Sequence, residues 1–379
     1  MEITIAIDSF KGSLSTFEAA NAAAEGIKRV YEDAKINLSP IADGGEGTLD
    51  AIISAKGGRL KSVVVSDPLG KRINAEYGII DSERLAVIEM ARAAGLTLLE
   101  VSERNPLYTT TYGVGELILD AIKEGCRDFV IGIGGSATND GGVGMLSALG
   151  LKFLDAEGKE IKPCAAGLKE LANISTDGMA KELSDCHFLV ACDVKNPLCG
   201  ENGASAVYGP QKGADENSVK QMDSYLYHYA ELTKNINPLS DANAEGAGAA
   251  GGLGFAFLSY LSAELSSGID IVIKKTGLEA LIERSDLVFT GEGRLDAQSA
   301  MGKAPVGIAK LAKKHGKPVI ALSGCIGDGA TLCHSHGIDA LFPIVRSPIT
   351  LAEAMDKATA TKNLADTAEQ IARLVKTFK

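Results

Sequence analysis

None of the seven cysteines (Cys126, Cys164, Cys186, Cys192, Cys199, Cys325 and Cys333) belongs to a C-x-x-C pair, and their number is odd. A disulfide framework is therefore not expected, and free thiols in a reducing cytosol fit best. No run of about 18 to 20 uninterrupted apolar residues occurs, so no membrane-spanning helix is expected. No block of consecutive Lys or Arg offsets a formal net charge of −11, a field that repels nucleic acid phosphates and anionic membranes. Missing too are a Walker A ending, a dinucleotide fingerprint of the usual spacing and a G-x-S-x-G elbow. The five histidines offer no metal site: His334 and His336 stand beside Cys333, but no third ligand is spaced nearby. Trp is absent as well, and that excludes nothing.

What is present is an ordinary globular composition, 45% hydrophobic and 23% charged over 379 residues, long enough for two domains. The N-terminus lacks a basic region before an apolar stretch and reads as a first strand, Ile3 to Ile7. A Ser- and Gly-bearing turn follows, then a helix from about Thr16 to Tyr31, a strand near Ile36 to Ala42 and a helix Leu49 to Ala55. From Leu60 to Met90 three β-rich runs (Lys61 to Val65, Ile73 to Ile80, Leu85 to Met90) look like antiparallel pairs. A strand Phe129 to Ile133, a charged helix Asp215 to Asn235 and, beyond Asp286, a return to strict alternation complete the pattern. The last elements are strands at 287–290, 319–323 and 340–342, a helix Ala304 to His315 and a final helix to Lys379. The fold expected is α/β: a doubly wound, Rossmann- or flavodoxin-like domain built from both chain ends (1–75 plus 286–379), with a mixed α/β domain (76–285) inserted.

The sharpest chemical signal is Gly132-Ile133-Gly134-Gly135-Ser136-Ala137-Thr138-Asn139-Asp140-Gly141-Gly142. Glycine permits positive φ, so such a loop can turn its N–H groups inward around phosphate oxygens while a helix start adds its dipole. Asn139 and Asp140 are then candidates for Mg²⁺, directly or through water; a purely structural tight turn is the competing reading. Asp8-Ser9-Phe10-Lys11-Gly12-Ser13-Leu14-Ser15 offers a carboxylate, hydroxyls and a lone cation where the first strand becomes the first helix. An anion could sit there, and a helix cap by Ser13 or Ser15 with a solvated Lys11 explains the turn equally well. Two acidic turns, Asp43-Gly44-Gly45-Glu46-Gly47 and Thr290-Gly291-Glu292-Gly293-Arg294-Leu295-Asp296, each follow a strand. Their carboxylates suit Mg²⁺ or a substrate proton, and Arg294 suits a carboxylate or phosphate. Asp193, after the strand His187 to Ala191, is the favoured general base, with an Asx-turn before Pro197 as the alternative. Lys212, in Tyr208-Gly209-Pro210-Gln211-Lys212-Gly213, reads as a surface residue.

Taken together, IDSFKGSLS (7–15), IADGGEGT (41–48), DPLG (67–70), TTTYGVGELI (109–118), GIGGSATNDGGVG (132–144), CDVKNPLCG (192–200), YGPQKGA (208–214), GAGAAGGLGF (246–255) and TGEGRLDAQS (290–299) resemble the bacterial glycerate kinase family. The resemblance runs in order along nearly the whole chain. It implies a cytoplasmic enzyme using ATP, Mg²⁺ and glycerate, with two α/β domains and an active site in the cleft between them. It favours D-glycerate and its 2-hydroxyl as acceptor; the 3-hydroxyl, another small hydroxy acid, or a nucleotide-binding regulatory module without turnover are the alternatives. On that basis Gly113, Gly134, Gly135, Ser136, Asn139, Gly141 and Gly142 would hold ATP. Asp8, Ser9, Lys11 and Arg294 would hold substrate, with Asp193, Lys11 and Arg294 catalytic and Asp43, Glu46, Asp140 and Asp296 near Mg²⁺. Self-association as a homodimer is left open.

Overall fold

A computed structural model describes residues 1–300 and 303–378; the expected end of the final helix at Lys379 lies outside them. The chain divides into two compact units, one of Met1–Asp43, Asp50–Ala55 and Ile269–Lys379, the other of Gly44–Leu49 and Lys56–Gly268.

The first unit is a five-stranded parallel sheet in the order Ala340–Pro343, Val319–Ile326, Leu287–Leu295, Glu2–Ile7, Lys35–Leu38. Numbered along the chain, its strands run 2-1-3-4-5, the flavodoxin order, so its topological switch point lies between Glu2–Ile7 and Leu287–Leu295. Both neighbours bury both faces, as a parallel strand covered by helices must. Ile3, Ile5 and Ile7 join Leu287 and Phe289 in the layer beneath the helices Thr16–Lys28 and Lys357–Thr377. Ala6 and Val288, pointing the other way, pack with Ile308, Ala309 and Ile282 of the helices Ala304–Lys314 and Leu278–Arg284. Ser15 caps the helix Thr16–Lys28 in a capping box with Glu18, whose carboxylate returns to the Ser15 N–H at 2.9 Å. Of the two serines expected as caps, Ser15 is the one that caps this helix.

The second unit is built on a six-stranded mixed sheet, ordered Glu264–Ser266, His187–Ala191, Asp128–Gly132, Leu85–Glu89, Arg72–Ile80, Arg59–Ser66. The first four strands are parallel, and the last two are antiparallel, hairpinned through Asp67-Pro68-Leu69-Gly70. Asp67 Oδ1 accepts from the N–H groups of Leu69 and Lys71, each at 2.8 Å, and fixes that turn. Phe129 stacks on Phe188 with ring centroids 4.8 Å apart inside a single large core.

The boundaries differ from those expected near 75 and 285. Arg59–Ser66 pairs with Arg72–Ile80 over its whole length, which carries residues from 56 onward into the second unit. Residues from 269 join the first unit because Ile269, Val272, Leu278 and Ile282 are buried in its core. Hydrophobic burial against one sheet or the other, rather than the return of strand-helix alternation, sets where a unit ends.

Candidate active site

In the first unit, the chain leaves the sheet at Asp8 beside the switch point, its N–H donating to Gly291 O at 2.9 Å. Ile7 is in register with Gly291, so Asp8 and Glu292 emerge as neighbours from adjacent strands. Both are buried, at 4% and 9% exposure. Burial, then the nearby Asp43, raises Asp8 to about 7 against the opposing pull of the Ser9 N–H and Lys11. Burial also raises Glu292, opposed by Ser299, whose hydroxyl donates to Oε1 at 2.5 Å, and by Lys303. A Cβ on Gly293 would lie 3.4 Å from Phe10 Cα, so the strand end runs directly alongside the Phe10–Lys11 turn. Lys11 is exposed and reaches Asp43 only at 3.9 Å. The hydroxyls of Ser9 and Ser13 are buried without a hydrogen-bond partner among the described residues. Buried acids with raised affinity for a proton, idle hydroxyls and a loosely paired cation at a switch point together form a proton-accepting, anion-attracting site.

Arg294 belongs to the same strand end, where its Nε pairs with Asp296 Oδ2 at 3.2 Å. Asp296 also caps the following turn through the Gln298 N–H at 2.9 Å. Asp43 falls in the first unit and the exposed Glu46 in the second. Among the described residues no three His, Cys, Asp or Glu side chains are grouped to hold a metal.

In the second unit the loop after Asp128–Gly132 has an exposed tip and a buried inner leg. Gly134 and Gly135 are exposed, with Gly135 at φ +75°. The tip is pinned through the Gly135 carbonyl, which accepts from Leu96 N–H at 2.8 Å, and the Ala137 N–H, which donates to Ala94 O at 2.9 Å. The N–H groups of Gly134, Gly135 and Ser136 donate to no acceptor among the described residues. Three successive unpaired donors, two of them on exposed glycines, suit an anion.

The inner leg is held by hydrogen bonds of its own. Asp140 is fully buried, and its carboxylate accepts from Thr111 N–H and hydroxyl, both at 2.8 Å, and from Gly142 and Gly144 N–H, both at 3.1 Å. Burial raises its proton affinity and these four donors lower it. Because the Thr111 hydroxyl also accepts from Met145 N–H at 2.9 Å, its own hydrogen goes to Asp140, which must act as acceptor. Asp140 thus organises the loop, its carboxylate already engaged by four donors. Gly141 and Gly142 cannot offer N–H groups to phosphate, since these donate to Gly251 O at 2.9 Å and to Asp140. Gly113 lies inside the helix Tyr112–Lys123, where a Cβ would come within 2.0 Å of Ser66 O; close packing explains it. Asn139 is fully buried with its amide donating to Ser205 Oγ at 2.8 Å, while its Oδ1 and the Thr138 hydroxyl have no partner among the described residues.

Lys212, expected on the surface, is 2% exposed. Its Nζ donates to Ser136 Oγ at 2.7 Å and to Thr138 O at 2.6 Å from behind the loop. Burial lowers it to about 7, against the attraction of Asp140. No local signal marks this, since a turn flanked by glycines and proline looks the same whether it faces solvent or a neighbouring loop. Glu89 is a second omission: buried at the end of Leu85–Glu89, it accepts from Leu49 N–H at 3.0 Å and pairs with Arg92 at 3.1 Å. An acid ending an apolar run was the available signal. Asp193 is exposed, its Oδ1 accepting from Gly268 N–H at 3.1 Å.

A family model described as the glycerate kinase family matches residues 3–376. Over 372 residues the chain is 48% identical to a protein of Escherichia coli (strain K12) named glycerate 2-kinase, spanning 97% of this chain and 98% of that one. It is 46% identical over 379 residues to a glycerate kinase of Bacillus subtilis (strain 168), spanning 100% and 99%. The crystal structure of a protein assigned as glycerate kinase 2 in Salmonella typhimurium LT2 superposes with a TM-score of 0.90 at 44% identity, covering 100% of this chain and 98% of that one.

Proposed function

The chain belongs to the glycerate kinase family, and from that premise we propose that it transfers the γ-phosphoryl group of ATP to the 2-hydroxyl of D-glycerate, giving 2-phosphoglycerate and ADP. The name of the Escherichia coli relative carries the choice of hydroxyl. Phosphoryl transfer asks the protein chiefly for positioning and charge neutralisation. In the second unit, the unpaired N–H groups of Gly134, Gly135 and Ser136 receive the phosphates. In the first unit, Lys11 and Arg294 hold the glycerate carboxylate, and Ser9 orients a hydroxyl.

Asp8 is better suited than Asp193 to take the hydroxyl proton. A base works best when its proton affinity lies near the operating pH, and Asp8 is raised to about 7. The proton passes from the acceptor oxygen to Asp8 as that oxygen bonds phosphorus, and the bridging oxygen departs with ADP. The donor set suits Mg²⁺ carried in on the nucleotide, since that ion keeps several waters and needs only one or two carboxylates. Asp43 and Asp296 would hold it, and when bound it would offset charge on the phosphates. The unpaired thiols and acidic charge fit a cytoplasmic location. Among the described residues no helix is long and apolar enough to cross a membrane.

A panel of small hydroxy acids with Mg-ATP, read by ADP release, tests the acceptor. D-Glycerate should exceed glycolate, lactate and tartronate by at least ~100-fold in kcat/KM, because an acceptor site built on hydrogen bonds rejects analogues that leave its polar groups unpaired. Comparable rates with another hydroxy acid would replace the substrate assignment.

A further inference from the structure

We infer that Lys212 is a positioning residue for the Gly134–Ser136 turn, holding the Ser136 hydroxyl so that its own hydrogen is presented to the nucleotide's phosphates. This rests on the reading of that turn as the nucleotide site. An ammonium has three donors and no acceptor, whereas a serine hydroxyl has one hydrogen and two lone pairs. With Nζ donating to Ser136 Oγ at 2.7 Å, the serine must direct its hydrogen elsewhere. The nearby carbonyl of Thr138 already receives Nζ at 2.6 Å. That hydrogen is then free to meet a ligand on the turn, beside the N–H groups of Gly134, Gly135 and Ser136. Lys212 thereby adds a fourth donor to the turn without touching the ligand.

Stability does not account for a lysine at this position. Among the described residues no carboxylate lies within ion-pair distance of Nζ, and its lowered proton affinity reports the cost of burying the charge. A methionine of similar length would avoid that cost. Beside it, the unpartnered Thr138 hydroxyl and Asn139 Oδ1 mark a polar interior that hydrophobic packing would not produce.

The test is a double-mutant cycle on the full chain, with Lys212→Met, Ser136→Ala and the pair, reading KM for ATP and kcat separately, and AMP-PNP binding by calorimetry. Each single variant should raise KM for ATP about 10-fold or more, the loss of one hydrogen bond to a charged group, with a smaller change in kcat. The double variant should be no worse than the worse single, and Lys212→Gln, which keeps an N–H donor, should recover part of the affinity. Effects that multiply in the double variant, or a raised KM in S136A beside an unchanged KM in K212M, overturn the inference by itself. If both variants alter KM for glycerate and leave ATP binding unchanged, the nucleotide reading fails and takes the inference with it. Should K212M not fold, S136A decides: an unchanged KM for ATP there overturns the inference.

Discussion

Replacing Asp8 with Asn should make the protein more stable at pH 8 and inactive. The carboxylate is buried beside Asp43 and Glu292, and its proton affinity rises from 3.8 to about 7. Between pH 4 and pH 7 the folded chain keeps a proton that the unfolded chain has released, so native stability falls as pH climbs through that window. An interval of about three pH units corresponds to ~4 kcal/mol at most, and an observable gain of about 2–4 kcal/mol above pH 7 is expected. Asn preserves the Oδ1 acceptor that the Ser9 N–H meets at 2.6 Å, so little else changes. The assay is thermal unfolding of both proteins from pH 4 to pH 8, paired with steady-state kinetics. The difference in midpoint should favour D8N at pH 8 and shrink toward zero by pH 4, while kcat falls by about 10²–10⁴. A D8N variant destabilised equally at every pH would refute the burial argument, and one that turns over normally would refute the assignment of the base; normal turnover in D8N with loss in Asp193→Asn would return the role to Asp193.

Further outcomes follow from the other groups. Asp140→Asn can keep an oxygen toward the Thr111 and Gly144 donors but then turns its amide NH₂ toward the Gly142 N–H, so the second unit should lose about 1–3 kcal/mol, seen as a lowered urea midpoint; an unchanged midpoint would deny the organising role. Gly113→Ala forces a methyl against Ser66 O and should lower the thermal midpoint, whereas KM for ATP in the folded protein should stay within about twofold. Lys11→Met should reduce kcat/KM for glycerate by about 100-fold or more and leave stability within about 0.5 kcal/mol, since the pair with Asp43 is long and exposed; near-normal kinetics would remove Lys11 from the site.

The strands were the legible part of the fold. Ile3 to Ile7 and Leu287 to Thr290 are short apolar runs because both faces are covered by helices, and that burial shows in composition alone. The turns after those strands were equally legible, since Asp8, Lys11, Glu292 and Arg294 sit where a parallel sheet collects ligands. What a glycine or a charge does within a loop was not legible. Gly134 and Gly141 belong to the same glycine-rich segment, yet one is exposed with its N–H unpaired and the other is locked to Gly251 O. Asp140 and Lys212 read as a metal ligand and a surface cation because their partners, Thr111, Ser136 and Thr138, are distant in sequence. The unit boundary was hidden for the same reason, as only the pairing of Arg59–Ser66 with Arg72–Ile80 decides to which sheet it belongs.

The most direct test of the central claim is a coupled assay of the purified protein with Mg-ATP, D-glycerate and enolase, run with and without phosphoglycerate mutase. Immediate formation of phosphoenolpyruvate with enolase alone is the expected result, because only 2-phosphoglycerate feeds enolase directly. A signal that requires the mutase would place the phosphate on the 3-hydroxyl and contradict the account, and no phosphoenolpyruvate under either condition would contradict glycerate as the acceptor.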